Sequence, residues 1–317
     1  MRSVMESNDG FLADVRGEGL LAGDVLQQAG LDWDVETRQS YYQVTDDFYN
    51  VSMAPAPGSF HVVRTDTQAS LGDVTSKYQP IQNRDALSLL DEVMLAGDEE
   101  VIYESAGCAK GGKVVWIQAL DRGGRTDIVP GDPVDSTQIV LKRHDGKGSI
   151  VLFQTMERIV CSNVLPSILK SGGCELRIRH TRSAMDRIEQ AKRLMHASRR
   201  QHAQQVAMAK GLARTQMTTK SMEDFLDVVA PLGLTADGEV STRSRNIRDN
   251  VLYLFENGKG QDIPGVRGTA WAALNAVTEY ATHGRHGHNH KQFMSVVQGG
   301  EQRRIQKATE YLYAIAA

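Results

Sequence analysis

Residues 137–155 have the sequence TQIVLKRHDGKGSIVLFQT and predict a β-hairpin. Two runs rich in β-branched and aliphatic residues, 137–143 and 148–155, flank the turn His144–Lys147. An Asp-Gly pair inside such a turn is a strong short-range hairpin signal, because both residues tolerate the backbone angles that a tight turn needs. The fold is therefore expected to be built around paired antiparallel strands.

The sequence before this hairpin predicts more strands and one helix. Alternating runs at 59–65 and 69–78 predict two strands, and Asn83 is expected to act as the N-cap of a helix over 83–96. A second hairpin is expected from 100–106 and 113–120. This order of elements predicts an α+β fold in which a helix packs on an antiparallel sheet. Further upstream, we expect an extended arm over 41–51. The Pro-rich residues 54–58 are expected to interrupt the secondary structure.

After the hairpin the pattern becomes helical. Residues 159–169 are expected to form a helix and residues 174–180 a short strand, followed by a long basic helix over 183–216. A small helical domain then follows, with helices expected at 221–232, 242–256, 269–283 and 300–316. We predict three segments: an acidic N-terminal arm (1–57), an α+β core with a basic surface (58–216) and a helical C-terminal domain (217–317).

Charge is distributed unevenly along the chain. Residues 142–220 contain sixteen Lys and Arg against five Asp and Glu, whereas residues 1–141 contain ten Lys and Arg against twenty-three Asp and Glu. A separation of this kind creates a local positive field that attracts a polyanion. The predicted nucleic-acid-binding residues are Lys142, Arg143, Lys147, Arg158, Arg177, Arg179, Arg182, Lys192, Arg193, Arg199 and Arg200.

These cations predict a protein that binds nucleic acid mainly through its phosphates. Aromatic residues make up only 6% of the chain, so base stacking should contribute less, and Trp116 and Phe153 are expected to pack in the core. The acidic first third allows two roles. It pairs with the basic surface of a neighbouring subunit and so drives formation of a homo-oligomer, or it covers the basic groove until DNA displaces it.

Other motifs point to no catalytic chemistry. Residues 107–113 match GxxxxGK, but Val114 replaces the hydroxyl residue that would contact magnesium, so a hairpin turn is expected instead of a nucleotide loop. The His-rich tract 283–290 is open to two interpretations, a metal site or a phosphate-facing loop. Asp121, Asp127, Asp132 and Asp135 are expected to form turns. We predict neither a catalytic nor a metal site, and no cofactor.

The expected location is the cytoplasm. The three cysteines form no paired motif, no apolar run approaches the roughly 20 residues that cross a bilayer, and the first ten residues lack a secretory signal. No membrane partner is expected.

Four segments carry a resemblance to a known family. They are LGDVTSKYQPIQN (71–83), MERIVCSN (156–163), His180-Thr181 and TAWAALNAVTEY (269–280). With them the chain resembles a phage- and plasmid-encoded family of phage/plasmid-like proteins, which implies DNA metabolism of a mobile element in the host cytoplasm. The order of elements is also similar to that of phage single-strand annealing proteins of the Red-beta and RecT types, which implies a ring or filament acting in recombination. Two alternatives stay open: a non-enzymatic interaction or anti-defence protein, and a nuclease or nucleotide-using enzyme.

Overall fold

A computed structural model describes most of the chain. The described residues are 4–7, 10–15, 20–86, 90, 101–158, 163–166, 175–180, 196–283, 295–296 and 299–316. Within them, no helix is long and apolar enough to cross a membrane.

The described residues contain eleven strands, which form two sheets. In chain order they are β1 (Val4–Ser7), β2 (Gly10–Asp14), β3 (Val35–Thr45), β4 (Val51–Arg64), β5 (Ser70–Thr75), β6 (Val101–Ala109), β7 (Val114–Asp127), β8 (Pro133–Arg143), β9 (Ile150–Arg158), β10 (Asn163–Pro166) and β11 (Glu175–Ile178). Eight strands form one sheet in the order β1-β2-β6-β7-β8-β9-β10, with β11 also paired to β9. Strands β3, β4 and β5 form a second, antiparallel sheet.

The helices follow mainly after the large sheet. They are α1 (Ala22–Gln28), α2 (His196–Arg214), α3 (Thr219–Val229), α4 (Thr242–Asn257), α5 (Ala270–His283) and α6 (Gly300–Ala316). Helix α5 is buried on all sides from Ala270 to Ala281, including its polar residues Asn275, Thr278 and Glu279. The mixed α+β class predicted from the sequence is confirmed.

The chain divides into two compact units, each with its own core. Unit 1 contains residues 1–119, 138–153 and 175–195, and unit 2 contains 120–137, 154–174 and 196–317. Leu31, Val62 and Val140 lie in the core of unit 1. Phe225 and Trp271 lie in the core of unit 2. This grouping differs from the three consecutive segments predicted from the sequence, because β7, β8 and β9 each contribute residues to both units.

Several local predictions are confirmed. The hairpin turn at His144–Lys147 joins β8 to β9, and residues 110–112 form a short 3-10 turn between β6 and β7. Helices α4, α5 and α6 begin and end within one residue of the predicted bounds. The long basic helix is described only from His196.

Two local predictions are wrong. Strand β4 continues through the Pro-rich residues 54–58, where the sequence predicted an interruption of secondary structure. Prolines are tolerated there because, among the described strands, this stretch of β4 pairs with β3 alone. In addition, Gln39 Nε2 donates to the backbone oxygens of Ala56 and Ser59 (2.6 and 3.1 Å). A helix was expected over residues 159–169, but residues 163–166 form a strand paired with Thr155–Arg158. Pro166 would have removed a backbone hydrogen bond from such a helix.

Candidate functional site

The segment 71–83, which carries the family resemblance, folds against the turn between β8 and β9. Gly72 lies so close to this turn that a Cβ atom would be 2.6 Å from the backbone oxygen of Asp145. Asp145 accepts hydrogen bonds from Arg143 Nε and from the backbone N–H of Lys147, both at 3.1 Å. The glycine is therefore needed to let the strand approach the turn, and the turn is held in one conformation.

Asn83 is the centre of a buried hydrogen-bond cluster, whereas the sequence predicted a helix N-cap. Its Nδ2 donates to the backbone oxygens of Leu31 (2.8 Å) and Trp33 (3.4 Å). Its Oδ1 accepts from His144 Nε2 (2.8 Å) and Lys142 Nζ (3.2 Å), and Lys142 Nζ also donates to the backbone oxygen of Ile81. We call Asn83, Lys142 and His144 the Asn83 cluster; it ties the end of β8 to the 71–83 segment.

Burial determines the protonation of this cluster. Lys142 and His144 have no exposed surface. Loss of hydration lowers the pKa of the Lys142 ammonium well below its usual value, although Asp85 and Asp34 act against this shift. Burial also lowers the pKa of His144, and the neighbouring Lys142 lowers it further. Perturbed groups of this kind can mark catalytic sites, but a solute cannot contact side chains with no exposed surface, so the cluster supports the turn from below.

His180 extends the same interior. Its ring stacks on that of Tyr78, with centroids 4.9 Å apart and planes within 14°. Burial lowers the pKa of His180 to about 4 and raises that of Tyr78 above its usual value. The backbone oxygen of His180 also accepts the N–H of Gln79 at 3.2 Å. The chain leaving β11 is therefore fixed to the 71–83 segment immediately after Arg179.

A basic edge lies on the surface above this interior. Strand β11 pairs with β9 so that Ile178 is opposite Ile150 and Arg177 opposite Val151. This register brings Arg177 and Arg179, both exposed, to the end of β9 that follows the Lys147 turn. Lys147 is exposed too, and neither Lys147 nor Arg179 has an acidic side-chain partner among the described residues. We call Lys147, Arg177 and Arg179 the basic edge.

Three predicted phosphate contacts are corrected by their surroundings. Lys142 is buried in the Asn83 cluster, and Arg143 pairs with Asp145 with only 21% of its side chain exposed. Arg158 is fully buried in unit 2, where its Nε donates to Asp132 Oδ1 at 2.6 Å. We therefore withdraw Lys142 and Arg158 from the nucleic-acid surface, and assign Arg143 to the support of the turn.

Arg158 instead locks the interior of unit 2. Its two terminal nitrogens donate to the backbone oxygens of Lys259 and Gly260 (2.9 and 3.0 Å). The second oxygen of Asp132 accepts from Trp271 Nε1 at 2.7 Å. Asp132 was expected to form a turn, but it is the buried counter-ion that joins β9 to α5. Among the other acidic residues, Asp127 does form a turn, since it accepts the N–H of Gly131 at 3.0 Å.

The remaining predicted residues cannot be placed on a surface. Arg182, Lys192 and Arg193 lie outside the described residues, as does the His-rich tract after His283. Arg199 and Arg200 lie on α2, whose side chains are described only from Gln201.

Sequence reasoning missed the most polar interior of unit 1. His144 and His180 were not recognised as site residues, and Asn83 was assigned to a cap. No local signal could have found them, because the hydrogen bonds of Asn83 join it to residues that are 50 to 61 positions away in the sequence.

One comparison with known proteins identifies a family. A family described as "Domain of unknown function (DUF932)" matches residues 70–312, which include the 71–83 segment and the basic edge. No curated protein and no solved structure matches the chain, so nothing supports the expected likeness to Red-beta and RecT proteins.

Proposed function

This chain belongs to the DUF932 family, and we propose that it binds single-stranded DNA along the basic edge and anneals strands as a homo-oligomer, without catalysis. The phage or plasmid setting inferred from the sequence forms part of this proposal.

The observation that carries the proposal is the way unit 1 presents Lys147, Arg177 and Arg179. The turn that bears Lys147 is fixed by Asp145 and by the close approach of Gly72. Arg177 and Arg179 are fixed by the pairing of β11 with β9 and by the burial of Ile178 between them. Cations on rigid elements lose little conformational freedom when they meet a phosphate, so this edge is pre-organised for a polyanion.

The chain continues from the basic edge into a strongly basic sequence. Arg182, Lys192, Arg193, Arg199 and Arg200 follow Arg179 within twenty-one residues. Contact through phosphates leaves the bases accessible for pairing, which is what an annealing protein requires. No group on the basic edge needs to react, because neutralising the backbone charge of two strands is enough to let them meet.

The proposal predicts a steep and quantifiable salt dependence. Binding of a labelled oligonucleotide should weaken as salt rises, with a slope of log affinity against log salt of about −0.7 for each phosphate contacted. The double variant Arg177→Gln/Arg179→Gln should reduce this slope by about 1.4 and weaken binding at low salt. Arg303→Gln removes an exposed Arg of α6 and serves as the matched control, for which no change is expected.

Four results would count against the proposal. Binding that does not respond to salt, or that is unchanged in the Arg177/Arg179 variant, would exclude the basic edge as a phosphate site. An absence of oligonucleotide binding in wild-type protein would favour the alternative of a protein-binding or anti-defence role. Metal-dependent cleavage of the same oligonucleotide would instead favour an enzyme.

A further inference from the structure

Two turns of unit 1 lie side by side at one end of the large sheet. The first, which we call the 110–113 turn, joins β6 to β7, and the second is the His144–Lys147 turn between β8 and β9. The backbone N–H of His144 donates to the oxygen of Lys113 at 2.9 Å, so the two turns are neighbours. Because β11 pairs with the first residues of β9, the basic edge lies at this same end of the sheet.

The 110–113 turn presents two lysines from a fixed backbone. Lys110 is exposed and Lys113 is partly exposed, and neither forms an ion pair with a described residue. Residues 110–112 have left-handed φ values of 54°, 67° and 97°, which glycine adopts freely and lysine does not. The turn also packs closely, since a Cβ atom on Gly112 would lie 3.1 Å from Arg64 Nη1. The backbone that carries the two lysines therefore has little freedom to lose when they meet a ligand.

The 110–113 turn is the end of the GxxxxGK sequence at 107–113, but its setting is not that of a nucleotide loop. It joins two paired strands, whereas a nucleotide loop places its backbone N–H groups at the start of a helix. The two lysines therefore lack the surroundings that hold the phosphates of a bound nucleotide. They are placed instead to meet phosphates that pass over the end of the sheet, as those of a nucleic-acid strand would.

The acidic side chains around this end are largely neutralised. Three carboxylates have an arginine partner each, in the pairs Arg64–Asp66, Arg84–Asp34 and Arg143–Asp145. Asp73 lies beside Gly146 of the second turn, is 78% exposed and contacts His61 Nδ1 at 2.7 Å. Against it stand the cations that form no ion pair with a described residue, namely Lys110, Lys113, Lys147 and Arg179. Positive charge therefore predominates here.

These four cations form a row across the ends of the strands. The strand order places the 110–113 turn at β6 and β7, Lys147 between β8 and β9, and Arg179 at the end of β11. Neighbouring strands are about 4.8 Å apart, so the row spans roughly 15 Å. A stacked strand of nucleic acid carries a phosphate about every 3.4 Å, so the row is long enough to meet about four phosphates.

We propose that Lys110 and Lys113 form a second phosphate site that continues the basic edge, so that one nucleic-acid strand crosses the end of the sheet from the 110–113 turn to Arg179. This inference deepens the proposed function and rests on it for the identity of the ligand. It adds two contacts from outside residues 142–220, where the positive charge of the sequence is concentrated. It also gives the direction of the bound strand, which runs across the β-strands and not along them.

The test is the salt dependence of binding of a labelled single-stranded oligonucleotide to the full chain. Lys110→Gln/Lys113→Gln should reduce the slope of log affinity against log salt by about 1.4, since two phosphate contacts are lost. Combining this pair with Arg177→Gln/Arg179→Gln should reduce the slope by about 2.8, because the two sites contact different phosphates. Lys110→Arg/Lys113→Arg keeps both charges and should retain the wild-type slope.

A charge-matched control and a direct footprint locate the contact. Lys220→Gln/Lys307→Gln removes the same charge from exposed positions on α3 and α6 and should leave the slope unchanged. In wild-type protein, the oligonucleotide should protect Lys110, Lys113 and Lys147 from acetylation, as measured by mass spectrometry, while Lys220 and Lys307 stay reactive. The footprint needs no substitution, so it tests the site even where a variant does not fold.

The outcomes separate this inference from the proposed function. An unchanged slope for Lys110→Gln/Lys113→Gln, with a reduced slope for Arg177→Gln/Arg179→Gln, would overturn the inference alone. An equal loss for Lys220→Gln/Lys307→Gln, or full acetylation of Lys110 and Lys113 in the complex, would also overturn it. An absence of binding in wild-type protein would reject both. Slopes that respond to both pairs, without annealing of complementary strands, would support the second site and reject annealing.

Discussion

Replacing Arg158 separates the interior role of this residue from the surface role expected from the sequence. Arg158→Met keeps much of the side-chain volume but leaves the carboxylate of Asp132 buried, with Trp271 Nε1 as its remaining partner among the contacts described above. It also removes the donors to the backbone oxygens of Lys259 and Gly260. Breaking one side of a buried ion pair costs about 3–5 kcal/mol, so we expect unit 2 to lose stability on this scale.

The measurement is unfolding in urea, followed by tryptophan fluorescence and by hydrogen exchange of unit 2. Arg179→Met is the matched control, because this exposed arginine should change the free energy of unfolding by less than about 0.5 kcal/mol. Adding Asp132→Asn to Arg158→Met should recover part of the loss, since the uncompensated charge is removed. Equal stabilities for Arg158→Met and Arg179→Met would refute the buried ion pair.

Two further predictions concern unit 1. The pKa of His180 is about 4 in the folded protein, against about 6.5 in an unfolded chain, so its contribution to stability is complete above pH 6.5 and is lost as pH falls towards 4. We expect about 2 kcal/mol of this loss between pH 7 and pH 5, and His180→Gln should flatten the urea-unfolding profile in that window; an unchanged slope would show that His180 is not buried. Gly72→Ala should destabilise the protein by about 1–3 kcal/mol, because the added Cβ meets the backbone of Asp145. Gly23→Ala, on α1 with nothing within 4 Å, should leave stability unchanged or raise it, and equal effects of the two substitutions on the melting temperature would contradict the close approach.

The elements that could be predicted from the sequence are those with a strong local signal. The hairpin at 137–155 has an Asp-Gly turn between two strand-forming runs, and α5 is rich in alanine, the strongest helix former. The course of β4 through residues 54–58 had no such signal, because it depends on the side chain of Gln39 satisfying backbone groups across the hairpin. Likewise, the hydrogen bond between Asn83 and His144 joins residues 61 positions apart, so the sequence around either residue does not predict it.

The sequence predicted a basic surface, but it did not predict which Lys and Arg residues form it. Charge counting treats each Lys and Arg of residues 142–220 alike, whereas folding buries some of them and pairs others. A buried arginine needs a carboxylate partner, and here the carboxylate of Asp132 comes from the acidic region, residues 1–141. Some of the charge separation seen along the sequence is therefore cancelled within the fold.

This cancellation makes the number of phosphate contacts measurable. If all eleven predicted cations met a phosphate, the salt slope would be about −8 per subunit, whereas Lys147, Arg177 and Arg179 alone would give about −2. Contacts from Arg182, Lys192, Arg193, Arg199 and Arg200 as well would bring the slope to about −6. Because Lys142 and Arg158 are buried and Arg143 is paired, the predicted set can supply at most eight contacts. A slope near −8 would therefore require phosphate contacts from cations outside that set.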